Sequence, residues 1–182
     1  MEANLDDIKT ERINGAIVAQ SAASIPHIEI QGRLFHSIYG FLKGKRCKVF
    51  SEARVVFDSS NWFQPDLAVI CDRSKIKHTH IEGAPDFVAE ILSPTTQFRD
   101  LGIKKDTYEK HGVKEYWIVN PGGKTVTTYL LKDGKYVMDN VYHKYSEEEW
   151  MWLTEEEKLK NSAPLKLSLY DDFEINMNEI FD

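Results

Sequence analysis

The chain has 182 residues, 42% of them hydrophobic and 29% charged, with a formal net charge of −6. That length and balance suit one soluble globular domain, residues 1–182, with a core large enough to need no staples. The charge argues against broad, nonspecific nucleic-acid binding, which needs clustered Lys and Arg, and no apolar run approaches a membrane span.

The start of the chain, residues 1–10, is acidic and polar. It lacks the basic-then-apolar plan of a signal peptide, so a cytoplasmic protein is expected. Residues 11–20 read as a short strand or hairpin edge turning at Asn14-Gly15. Residues 27–43 place Ile30, Leu34, Phe35, Ile38, Phe41 and Leu42 on one helical stripe, and Gly44 closes that helix. Strands are expected at 47–50 and 53–57. Residues 67–71 and 87–92 are continuous apolar runs, as in strands covered on both faces. Cys47 and Cys71 have no metal-ligand spacing and are expected as free thiols of a reducing compartment.

A polar loop with His78 and His80 separates the two apolar strands, and those histidines read as surface residues. A helix over 99–111 is stopped by Gly112, and a central strand over 116–119 ends at Pro121-Gly122-Gly123. Residues 125–131 and 136–142 form a hairpin about Asp133-Gly134. The Glu-rich stretch 147–160, with Trp150 and Trp152, reads as an insertion or partner surface. A last strand and a short turn finish the chain. This alternation predicts a mixed α/β fold: a central mixed sheet flanked by helices, with an extra β-hairpin.

Three residues carry the chemistry. Asp66 opens a buried strand, where a carboxylate is costly unless it is paired, metal-bound or used as a cap. Glu90 sits within Phe87-Val88-Ala89-Glu90-Ile91-Leu92 and shares a face with Val88 and Leu92, so it needs a cation or a proton. Lys104 falls on one helical stripe with Leu101 and Tyr108, which leans it over the sheet and turns Lys105 toward solvent. The bland alternative is an exposed pair between Asp100 and Lys104. Two acids and a lysine suit metal-assisted phosphodiester hydrolysis: the acids hold Mg²⁺ or Mn²⁺, and the lysine orients water or stabilises developing charge. Ser93 and Thr95 have no histidine placed as their base and suit a turn.

The runs QPDLAVICD and GAPDFVAEILSPTTQFRDLGIKKDTYEKHGVKEYWIVNP resemble the Uma-type family of bacterial domains of unknown function. That family lies in the restriction-endonuclease-like PD-(D/E)XK nuclease superfamily. The resemblance implies a restriction-endonuclease-like core and metal binding by Asp66 and Glu90. The lysine usual two residues after the strand acid would fall at Leu92, and Lys104 on the next helix takes its place. Asn120 stands where the family usually shows Asp. The family reading also implies a homodimer acting on nucleic acid, with DNA as the expected substrate. Glu29 is a weaker candidate acid, and His27 a packing or hydrogen-bonding residue. The rival expectation is a non-catalytic interaction or dimerisation protein that keeps the fold; a small-nucleotide phosphoesterase is a third.

Overall fold

The computed structural model describes residues 9–182. The acidic start read above lies almost wholly outside these residues. The first two strands, β1 (Thr10–Ile13) and β2 (Ala16–Ala19), pair about Asn14 and Gly15, whose φ values of 49° and 84° make the turn. Helix α1 (Ile25–Leu42) starts where Ser24 accepts from the His27 backbone N–H, and it buries His27, Ile30, Gln31, Leu34, Ile38 and Leu42 along one stripe.

The strands that follow are β3 (Lys48–Ser51), β4 (Val55–Val56), β5 (Trp62–Phe63), β6 (Leu67–Ile70), β7 (Ile81–Glu82) and β8 (Phe87–Ile91). Helices α2 (Gln97–Arg99) and α3 (Lys105–His111) are joined without a break by a π-helical turn, Asp100–Lys104. Gly112, at φ 84°, caps α3 in the left-handed region. Strands β9 (Glu115–Asn120), β10 (Thr125–Lys132) and β11 (Lys135–His143) follow. The β10–β11 hairpin turns at Asp133 and Gly134, both at positive φ, as the Asp-Gly signal predicts.

The six-stranded main sheet has the order β11-β10-β9-β8-β6-β3. Only β8 and β9 are parallel, and α2, the π turn and α3 make the crossover between them. Alternation along β8 then divides the interior. Phe87, Ala89 and Ile91 face α1 together with Trp117 and Val119. Val88 faces the opposite side with Tyr108, Tyr116 and Ile118. A second sheet, β2-β1-β5-β4-β7, contributes Phe63 and Val55 to that opposite side. The segment expected as an insertion forms two short helices, α4 (Glu147–Trp152) and α5 (Glu155–Asn161), each opened by a capping box. The small sheet of β12 (Leu165–Lys166) with β13 (Glu174–Ile175) and the last helix, α6 (Met177–Phe181), pack onto the α1 side. Among the described residues no helix is long and apolar enough to cross a membrane.

Two sequence expectations need correction. Cys47 and Cys71 are disulfide-bonded, not free. The β3–β6 ladder ends on the pair Lys48–Ile70, so one step further sets these two cysteines directly opposite one another. Leu101 is half exposed and does not share a stripe with Lys104. The wide π turn changes the phase, and the buried stripe is Asp100, Lys104 and Tyr108. Such turns recur at functional sites because they re-aim one side chain without ending the helix.

Candidate active site

Strand register brings the two predicted acids together. Leu67 of β6 pairs with Ala89 of β8, so the next step along the antiparallel ladder sets Asp66 opposite Glu90. Directly opposed residues project to the same face. The two are also tied through the backbone. The Asp66 N–H lies 3.3 Å from Glu90 Oε2, and the Ile91 N–H donates to Asp66 Oδ2 at 2.7 Å. The other Asp66 oxygen, Oδ1, meets His27 Nε2 at 3.0 Å. Gln31, one helical turn further on, donates to the Asp66 carbonyl at 3.1 Å. Asp66 is therefore aimed from both sides of its strand.

Lys104 reaches the same place from the crossover helix. Its Nζ stands 2.6 Å from Glu90 Oε1, 3.2 Å from Glu11 Oε1 and 3.3 Å from Asp100 Oδ1. The residue is 2% exposed, so the reading of Asp100 and Lys104 as a solvent pair falls away. The Tyr108 hydroxyl donates to the same Glu90 oxygen at 2.5 Å. Tyr116 donates to the Asp100 carbonyl at 2.9 Å and steadies the π turn from below.

Sequence reasoning missed Glu11 as a member of this cluster. It is 1% exposed, and its Oε1 accepts from the Gln64 N–H at 2.9 Å. Nothing local in Thr10-Glu11-Arg12 signals that role, because the partner lies far along the chain. Helical phase already sets Tyr108 on the Lys104 stripe, whereas the π turn carries Asp100 in from the exposed position expected for it. Glu29 makes an exposed pair with Arg33 and plays no part. His78 and His80 lie on a partly exposed surface loop, and Ser93 makes turn contacts with Thr95 and Thr96.

Glu11, Glu90 and Asp100 surround one lysine, and Asp66 lies beside Glu90, so negative charge is in excess. Burial pushes the Glu90 carboxyl up to about 8; Lys104 opposes the shift, while Asp100, Asp66 and Glu11 add to it. Burial also raises Asp100 against the pull of Lys104. At Glu11 burial works upward too, but Lys104 and the Gln64 N–H outweigh it and hold the carboxyl below its usual range. Burial alone would strip the proton from Lys104, yet Glu90, Glu11 and Asp100 together raise its affinity for it. The ammonium is the internal counter-ion of the site.

A pH prediction follows for Glu90. Its folded-state value is raised, so its stabilising contribution is complete below about pH 4.5 and is lost as pH rises toward about 8. Glu90→Gln should remove that part of the slope. The melting temperature of the variant relative to the native chain is expected to climb between those limits and then level. A constant difference across the range would show that Glu90 titrates normally.

The cluster forms the floor of a cleft of about 1080 Å³. One wall carries Ser24 and His27 at the start of α1, and the other carries Ser93, Thr95 and Gln97 before the π turn. Among the described residues no three His, Cys, Asp or Glu side chains already form an ion cage. The donors at Asp66 and Glu90 nevertheless fit a hard divalent cation. They offer only oxygens, and Glu90 Oε2 makes no closer contact than the 3.3 Å one from the Asp66 N–H.

A mixed sheet with one parallel βαβ step, acids on its two adjoining strands and a lysine on the crossover helix define a restriction-endonuclease-like α/β protein. The chain belongs to the Uma2 family, described as "Putative restriction endonuclease", whose pattern matches residues 1–162. It is 30% identical over 147 residues to "Uncharacterized protein slr1290" of Synechocystis sp., covering 80% of this chain and 71% of that protein. It also resembles the crystal structure of a "putative nuclease belonging to DUF820" from Anabaena variabilis. That likeness has a TM-score of 0.71 at 22% identity over 94% of this chain and 89% of the other, which speaks for the fold.

Proposed function

We propose that this protein is a divalent-metal-dependent nuclease that hydrolyses phosphodiester bonds, with DNA as its substrate. The observation that carries the reading is the convergence of Asp66 and Glu90 across neighbouring strands, with the buried Lys104 ammonium on Glu90. Asp66 and Glu90 would hold Mg²⁺ or Mn²⁺. A cation there supplies charge for the scissile phosphate and a water of lowered pKa.

The protein's own groups set the geometry. His27 and the Ile91 N–H fix the rotamer of Asp66. Tyr108 and Lys104 hold one oxygen of Glu90 and leave the other facing Asp66. Lys104 is anchored to Glu11 and Asp100 as well, so it would keep its place if Glu90 held a cation. Its positive charge then stabilises the charge that develops as water attacks.

The rival interaction-protein reading draws on the net charge of −6 and on the exposed Trp152 and Met151 of α4. A homodimer is compatible with both readings. The cytoplasmic setting expected for the protein would expose the Cys47–Cys71 bond to reducing conditions.

A thermal-shift experiment separates the readings. A ligand at a hundred times its dissociation constant stabilises by about 2.7 kcal/mol. For a chain of this size that should raise Tm by roughly 5–10 °C in Mg²⁺ or Mn²⁺. Asp66→Asn should abolish the shift. An unchanged Tm in saturating metal, or a shift that survives Asp66→Asn, would move the assignment to the interaction protein.

A further inference from the structure

The cleft has an unusual charge for a site that would meet a polyanion. Among the described residues that line it, the cations are Lys9 and Lys104. Lys9 is paired with Glu52 at 3.2 Å, and Lys104 is committed to three carboxylates. The eight residues before Lys9 contain no Lys or Arg. Duplex DNA is held chiefly through Lys and Arg on many phosphates, and among the described residues that line this cleft neither cation is free for that purpose.

What the rim offers is different. Phe98 is 90% exposed and lies between Gln97, which lines the cleft, and Asp100 on its floor. Ile25, 77% exposed, stands between Ser24 and Pro26 on the opposite wall. The two walls are tied together by a hydrogen bond of 2.9 Å between the Ser21 and Thr95 hydroxyls. An exposed aromatic beside hydroxyl-rich walls suits unpaired bases, because every base has a face to stack, and stacking worth about 1–3 kcal/mol per base offsets part of what a cation-poor cleft lacks. A cleft of about 1080 Å³ is sized for a few nucleotides of one strand.

Resting on the nuclease reading above, we propose that the substrate is an unpaired strand of nucleic acid, with one base stacked on Phe98 at the cleft mouth. Arg99, next along the chain, gives the rim one further cation, so the strand is held mainly by stacking and hydroxyl contacts.

The test uses the full chain in Mg²⁺ with fluorescein-labelled 12-mers: single-stranded DNA, single-stranded RNA of the same sequence, and duplex DNA. Binding is read by anisotropy, and the same samples are run on a gel for cleavage. The unpaired strand should bind more tightly than the duplex by about tenfold or more. Its logarithmic salt slope should be no steeper than about 2. Phe98→Ala should weaken single-strand binding roughly 5- to 150-fold, the effect of losing one stacked base. Leu159→Ala, which removes an exposed apolar residue from α5, should change nothing.

Preference for RNA over DNA would support the inference and correct only the sugar. Tighter binding and cutting of the duplex would overturn it and leave the nuclease reading standing. So would single-strand binding indifferent to Phe98→Ala. If no oligonucleotide is bound or cut, the nuclease reading falls and this inference falls with it.

Discussion

Replacing Lys104 by alanine should destabilise the protein by about 3–5 kcal/mol, a loss of roughly 6–20 °C in Tm. The cause is electrostatic. Glu11, Glu90 and Asp100 all lean on this one ammonium, and each is buried. Removing it leaves Glu11 and Asp100 without a counter-charge and Glu90 without its nearest partner. Lys104→Met, which keeps most of the stem, should recover the packing but little of the stability, so the pair of variants isolates the charge. Lys105→Ala serves as the contrast. Its ammonium sits 3.7 Å from the Tyr129 ring centroid at a half-buried site, and its loss should cost about 0.5–1 kcal/mol. Chemical denaturation of the three variants measures all of this. Equal losses for Lys104→Ala and Lys105→Ala would deny Lys104 its place as counter-ion.

The second large effect concerns Asp66, and here the choice of substitution matters. Alanine would leave the buried Ile91 N–H and His27 Nε2 without their partner, at about 1–3 kcal/mol for an orphaned polar group. Asparagine can still accept from Ile91 through its carbonyl and can donate to His27 in the other tautomer. Asp66→Asn should therefore fold with a Tm near that of the native chain while losing the charge that a cation needs. Cleavage should fall beyond the roughly 10- to 100-fold typical of losing a group that only supports a metal ligand, because one of only two anionic ligands is gone. Glu90→Gln should lose activity as steeply without losing stability above neutral pH, since it also removes repulsion. A fall in activity matched by a fall in Tm would point to unfolding instead of chemistry.

Much of the site was legible because period-two and helical patterns act locally. Glu90 stands out from an apolar strand, Asp66 opens another, and both hairpins are announced by Asn-Gly and Asp-Gly. What stayed hidden depended on long-range register or on phase. Glu11 looks like an ordinary strand residue, because its meaning comes from a lysine supplied by a distant helix. The π turn at Asp100–Lys104 leaves no signature that a regular helical wheel can show. A wheel therefore placed Leu101 inside and left Asp100 in doubt. Cys47 and Cys71 carry no motif, and only the antiparallel register of β3 with β6 sets them face to face. His27 showed itself as a hydrogen-bonding residue at a helix start, but its partner, Asp66, lies on another element.

The central claim is that Asp66 and Glu90 hold a cation that cuts phosphodiester bonds with the help of Lys104. The most direct measurement is cleavage of a panel of labelled single- and double-stranded oligonucleotides by purified protein in Mg²⁺, in Mn²⁺ and in EDTA, beside Asp66→Asn of equal Tm. Cutting in either metal, absent in EDTA and absent in Asp66→Asn, is the predicted result. Cutting that persists in EDTA or in the folded Asp66→Asn variant, or no cutting of any substrate by the native chain, would contradict it.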